Sequence, residues 1–150
     1  MLRRILLMLI TLPVWGIMYA QQGLNVNALF DGKVVTKAQT QEAKVVEVKV
    51  KGRALSKYNL NFYRSYSFQA TPEQKAKVDE LVERDRQNAV SSETTRRGRN
   101  TTMILTMIPD GANNRFVCYI TKHNDKQINL TVVYMEGRVK NISELRKLIK

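Results

Sequence analysis

The sequence predicts an α+β fold: a mainly antiparallel sheet of about five strands, in the order β-β-α-β-β-β-α, with the helices on one face. Three observations predict it. Apolar and polar residues alternate over strand-length runs, as in Val46-Glu47-Val48-Lys49-Val50-Lys51 and Ile128-Asn129-Leu130-Thr131-Val132. Turn clusters, Pro109 to Asn114 and His123 to Lys126, separate later runs by hairpin distances. One long charged segment, opened by Thr71-Pro72-Glu73-Gln74, interrupts the strands with a helix start.

The chain begins with a different kind of segment. Met1-Leu2-Arg3-Arg4 is short and basic, Ile5 to Leu12 is almost wholly apolar, and Pro13 and Gly16 break the run before Ala20. This is the layout of a secretory signal peptide, cleaved near Ala20. The stretch is too short for a membrane span, which takes about 20 mostly apolar residues. No cysteine follows it, so there is no acceptor thiol for lipid. The expected product is exported, periplasmic or extracellular, and soluble after cleavage.

The organisation expected is a signal peptide over 1–20, an N-terminal leader over 21–41, and one α+β domain over 42–150. In the leader, Asn27 to Gly32 suits a short helical turn closed by Gly32. Glu42 to Lys51 is the first strand, with Val46, Val48 and Val50 expected inward. Asn59 to Phe68 is the second, where Leu60, Phe62, Tyr66 and Phe68 share a face with Arg64 in their midst. A cation there calls for a bulge that re-aims it, or a carboxylate partner. The helix runs from Pro72 to about Ala89, with Val78, Leu81, Val82 and Ala89 as a narrow apolar stripe. Its carboxylates Asp79, Glu80, Glu83 and Asp85 read as a solvated, salt-bridged face.

Ser91 to Asn100 reads as a polar loop. Met103 to Ile108 is apolar on both faces and is expected to be the most buried strand. Arg115 to Lys122 pairs back on it as a hairpin. Gln127 to Met135 follows, with Ile128, Leu130, Val132 and Tyr134 inward. Ser143 to Ile149 closes the chain as a short helix.

The 150 residues carry 25 Lys and Arg, 13 Asp and Glu, and a net charge of +12. Two of the basic residues lie in the signal, so 23 against 13 remain, a net of +10. That excess favours anionic partners. In an exported protein these are an acidic envelope protein or an anionic glycolipid or polysaccharide, with no nucleic acid and no stable membrane insertion expected. Cys118 is the lone cysteine, so no intramolecular disulfide is possible; it reads as a small buried hydrophobe beside Phe116 and Ile120.

Four segments carry a family resemblance: Gly23 to Gly32, Tyr58 to Ser65, Asn114 to Tyr119, and Leu130 to Gly137 with its following helix. They resemble a family of small exported proteins of unknown function from Bacteroides-type Gram-negative bacteria. The resemblance implies an exported domain and supplies no catalytic residues. The arginine-rich Ser91 to Asn100 segment departs from it.

The chemistry-bearing motifs are few. His123 is the only histidine, which excludes a histidine-based metal cluster and leaves Cys118/His123 as the one nucleophile–base option. Their odd spacing puts them on opposite faces of a strand. No nucleophile elbow, phosphate-binding loop or dinucleotide glycine motif occurs, so no cofactor is implied. The candidate ligand-binding residues are Arg96, Arg97 and Arg99, forked donors suited to phosphate or carboxylate around a flexible Gly98. Lys49, Lys51 and Arg53 would extend that patch if the first strand ends nearby. The sequence thus favours a non-enzymatic envelope binding module. The alternatives are an enzyme without familiar motifs, using a pocket near Arg64, and an assembly domain that pairs by a sheet edge.

Overall fold

The structure, a computed structural model, describes residues 23–149. The signal peptide expected over residues 1–20 lies outside the described residues. Six antiparallel strands form one sheet: β1 (Val46–Lys51), β2 (Leu60–Ala70), β3 (Ser91–Arg97), β4 (Asn100–Asp110), β5 (Asn113–Asn124) and β6 (Gln127–Gly137). Their spatial order is β1-β2-β6-β5-β4-β3. Among the described residues three α-helices accompany them, α1 (Asn27–Phe30), α2 (Pro72–Gln87) and α3 (Ile142–Ile149), with two short 3-10 segments at Lys37–Gln39 and Gly52–Tyr58. Helix α2 carries the chain from β2 across the sheet to the far edge, and β3 to β6 then meander back to β2.

The sixth strand is the first correction. Ser91 to Arg97 is an edge strand, paired with β4 from Ser91–Thr106 to Arg97–Asn100. It holds no apolar residue, so its alternation leaves no hydrophobic trace in the sequence. Gly98 takes a positive φ of 59° at the first central position of the two-residue turn, as a type II′ hairpin requires. A polar, charged edge also resists pairing with other chains.

The second correction concerns the faces. One core lies under α2 and the N-terminal segment. Val78 and Val82 of α2, with Val26, Leu29 and Val35, pack on Phe68, Leu105, Val117, Leu130 and Val132. The other core lies on the opposite face, where Leu55, Leu60 and Val139 cover Ile104, Phe116, Cys118, Val133 and Met135, with Ile142 at its margin. Cover therefore sits on both faces, not one. The reason is β5, whose Phe116, Val117, Cys118 and Tyr119 are all buried and so need apolar neighbours on both sides. The two central strands, β5 and β6, are more buried than β4. They sit at the sheet centre, whereas β4 is one strand from the edge and exposes Ile108 to 62%.

The second face is covered incompletely. Val46 and Val48, expected inward, are exposed by 60% and 41% because the covering residues do not extend over β1. On the other face, the first core draws heavily on the N-terminal segment: Leu24, Val26, Leu29, Phe30, Val34 and Val35 are all buried. Each such burial contributes about 2 kcal/mol.

Helix α2 starts as its sequence dictates. The Gln74 amide donates to Thr71 Oγ1 at 3.1 Å, and the Thr71 amide donates back to Gln74 Oε1 at 3.0 Å. This reciprocal pair satisfies two helix-end donors. Near the other end the solvated-face reading fails for one residue. Asp85 is fully buried, and it accepts from the Asn25 amide at 2.8 Å, Asn25 Nδ2 at 3.0 Å and the Val26 amide at 2.9 Å. It pins the N-terminal segment to α2. A buried carboxylate is tolerable only when so satisfied.

Candidate functional site

The hairpin arginines are divided by the alternation of β3. Arg96 lies opposite Thr101, and Arg97 opposite Asn100. Successive residues of a strand face opposite ways. Arg96 and Arg99 line a groove of about 630 Å³ on the α2 face, together with Lys75, Thr101, Tyr119, Thr121, His123 and two carboxylates, Asp79 and Asp125. Arg97 lines a separate hollow of about 570 Å³ on the other face, with Thr95, Thr102, Ser143, Arg146 and Lys147. The three-arginine cluster expected from sequence is therefore two sites. Lys49, Lys51 and Arg53 do not extend it, because β1 and β3 are opposite edges of the sheet.

The groove's electrostatics are asymmetric. Asp79 is already engaged: it accepts from Lys75 Nζ at 2.6 Å and from the Tyr119 hydroxyl at 2.7 Å. Burial, and then the Asp79 carboxylate, push the Tyr119 hydroxyl's pKa up, so it stays a donor. Among the described residues, neither Arg96 nor Arg99 forms an ion pair, whereas Arg64, Arg84, Arg86 and Arg146 each have one. Two uncommitted forked donors beside threonine and tyrosine hydroxyls make an anion-accepting lining.

Arg64 is held in another way. No register shift occurs at Arg64; the one irregularity in the β2–β6 pairing lies between Leu60 and Phe62. The bulge expected to re-aim Arg64 is absent, and the carboxylate partner is present: Glu47 Oε1 stands 3.6 Å from its guanidinium. The guanidinium also donates to the Phe30 carbonyl at 3.3 Å and lies 4.6 Å from the centroid of the Phe30 ring. It lines a pocket of about 570 Å³ with Asn25, Asn27, Phe30, Lys33, Phe62 and Tyr134. Arg115 Nε donates to the Tyr134 hydroxyl at 3.0 Å, and that hydroxyl donates to Glu136 at 2.9 Å. Burial, the leading cause, pushes the Tyr134 hydroxyl up to about 12, against the lowering influence of Arg115.

Cys118 and His123 do not meet. Cys118 is in the second core, where burial pushes its thiol up to about 12. His123 lines the hairpin groove on the other face. Among the described residues, no group of three His, Cys, Asp or Glu side chains is arranged to hold a metal ion. Nor, among them, is any helix long and apolar enough to cross a membrane.

The sequence matches a family of unknown function, DUF6108, over residues 13–149. The chain belongs to that family. No curated protein matches it. The resemblance read from the four sequence segments agrees at this level: a family with no assigned function, spanning nearly the whole chain.

In this DUF6108 chain, sequence reasoning missed Lys75, Thr101, Tyr119 and Thr121 as neighbours of Arg96. Lys75 lies one helical turn before Asp79, and that spacing signals only the salt bridge. The groove needs the crossover of α2, which no local pattern encodes. Sequence reasoning also misread Asp85 as solvated, one among five carboxylates on one helix.

Proposed function

We propose that this chain is an exported, non-enzymatic envelope protein that binds an anionic glycan or an anionic lipid headgroup in the groove beside the β3–β4 hairpin. The observation that carries the reading is the pair Arg96 and Arg99, without carboxylate partners among the described residues, over a hydroxyl-bearing floor. The groove's volume of about 630 Å³ suits a headgroup-sized ligand. A protein face would need a flatter surface of about 800 Å². Export rests on the basic, apolar and cleavable layout of residues 1–20. Cell fractionation with mass spectrometry tests it: a periplasmic or secreted chain beginning near Gln21 is expected, and a cytoplasmic full-length chain would contradict it.

Binding is tested with two probes, polygalacturonate for an acidic glycan and phosphatidylglycerol vesicles for a lipid headgroup. The Arg96→Gln/Arg99→Gln variant should bind the preferred probe about tenfold more weakly, the loss expected when charge-assisted hydrogen bonds are removed. Equal binding by the variant, or no binding to either probe at low salt, would overturn the reading.

A second reading, assembly through a sheet edge, is favoured by exposed Val46 and Val48 on edge strand β1. Light scattering decides it: concentration-dependent dimers support edge pairing, and a monomer throughout removes it.

A further inference from the structure

We infer that the pocket around Arg64 is a second ligand site, separate from the hairpin groove, and that it takes a small monocarboxylate carrying a flat ring.

The wall chemistry comes first. Three rings, Phe30, Phe62 and Tyr134, border the pocket. Phe62 and Tyr134 stand 5.7 Å apart, tilted at 59°. Their geometry is held. Tyr134 is fixed at its hydroxyl by Arg115 and Glu136. Phe30 belongs to the N-terminal segment that buried Asp85 ties to α2 through Asn25 and Val26. Fixed aromatic surfaces around a cavity of about 570 Å³ suit a ring-bearing small molecule.

The charge chemistry comes from Arg64. Its side chain is 26% exposed, so most of its hydration is gone. What replaces the lost water is incomplete. The Phe30 carbonyl is at 3.3 Å, the Glu47 carboxylate is at 3.6 Å, and both contacts use the same terminal nitrogen. A guanidinium carries five donors in a planar fork. The donors left over match a carboxylate, which accepts two parallel N–H bonds. Seating over Phe30 at 4.6 Å keeps the fork's plane oriented.

The surrounding charges set the ligand's charge. Glu47 pairs with Arg64, and Asp31 lines the pocket along with Lys33, so the site is close to neutral before a ligand enters. One added negative charge is accommodated. A doubly charged phosphate monoester would face Asp31 and Glu47 without enough cation to offset both.

The test is a nitrogen–proton NMR titration of the mature chain with benzoate, acetate, benzyl alcohol and phenylphosphate. Benzoate should give saturable shifts at the amides of Phe30, Arg64 and Tyr134 by about 10 mM, the weak end of the affinity scale. Acetate lacks the ring and benzyl alcohol lacks the charge. Each should bind about tenfold more weakly, as should phenylphosphate. Arg64→Lys keeps the charge and loses the fork; with its melting temperature unchanged, it should weaken benzoate by about tenfold. If that variant fails to fold, the ligand series on the unaltered chain still decides. No saturable shift with benzoate, acetate or benzyl alcohol binding as well as benzoate, phenylphosphate binding more tightly, or full affinity in a folded Arg64→Lys chain would each overturn the assignment.

Discussion

Arg64 and Arg96 lie on the same face of the same sheet, yet the molecule holds them in opposite ways. Arg64 is on β2 with an ion-pair partner, a carbonyl and an aromatic ring around its head. Arg96 is on an edge strand, and it has no ion pair among the described residues. A guanidinium seated among rings is specific about shape, because its neighbours fix its plane. An open one is specific about charge alone. It should therefore be the more sensitive to salt, since exposed charges are screened over about 8–10 Å at ordinary ionic strength. The difference teaches that position in the sheet, not residue type, separates a pocket arginine from a field arginine.

The largest expected effect on this contrast comes from alkali. Cys118 and Tyr134 have ordinary values of 9.0 and 10.0, and burial raises both to about 12. The unfolded chain therefore releases these protons first, so unfolding gains as pH climbs. The stability they contribute is whole below pH 9 and is lost as the pH rises from about 9 to 12. Urea unfolding across that range should show a continuous fall, and a flat profile would show that water reaches the pocket wall and the second core.

Next comes the tether that builds one site and not the other. Asp85→Ala removes three hydrogen bonds to a buried carboxylate, and should cost about 3 kcal/mol by urea denaturation. Hydrogen exchange should quicken at residues 24–30, which wall the Arg64 pocket, and stay unchanged at 94–99. Equal quickening at both would mean that the two sites share one cooperative unit.

Smaller still is Gly137→Ala. A methyl there meets the Asn59 carbonyl oxygen and comes within 2.6 Å of the Leu60 Cα, both backbone. Overpacking of this kind costs about 2 kcal/mol. It acts beside the irregularity between Leu60 and Phe62, so it should shift the Phe62 ring resonances and leave the hairpin groove's intact. Unshifted Phe62 resonances would dissociate that irregularity from the pocket.

Much of the fold could be read from the chain because its core strands announce themselves. Leu130 and Val132 are buried as their alternation predicts, and the Thr71–Gln74 cap forms as its spacing predicts. Cys118 is the buried hydrophobe it reads as. The failures share a physical cause: burial is decided by what covers a face, and cover is non-local. Val46, Val48 and Val50 alternate well, but the cover ends before β1 leaves them fully enclosed. Ser91 to Arg97 forms a strand by backbone pairing alone, with no apolar side chain to mark it. Arg64 could be singled out as a cation on an apolar face, but its partner Glu47 belongs to a neighbouring strand, and only the register brings the two together. The arginine run was visible as composition; its division between two faces depended on knowing that it is a strand.

The central claim is that the β3–β4 hairpin sorts its arginines, putting Arg96 with Arg99 in the groove on the α2 face and Arg97 on the other face. The direct measurement is the affinity of three chains for polygalacturonate and phosphatidylglycerol vesicles at low salt: unaltered, Arg96→Gln/Arg99→Gln, and Arg97→Gln. All three should melt alike, since surface changes of this kind alter stability by less than about 0.5 kcal/mol. The account predicts about a tenfold loss for the double variant, and affinity within about twofold of the unaltered chain for Arg97→Gln. A loss for Arg97→Gln as large as that of the double variant would contradict it, because both faces of the hairpin would then be binding together.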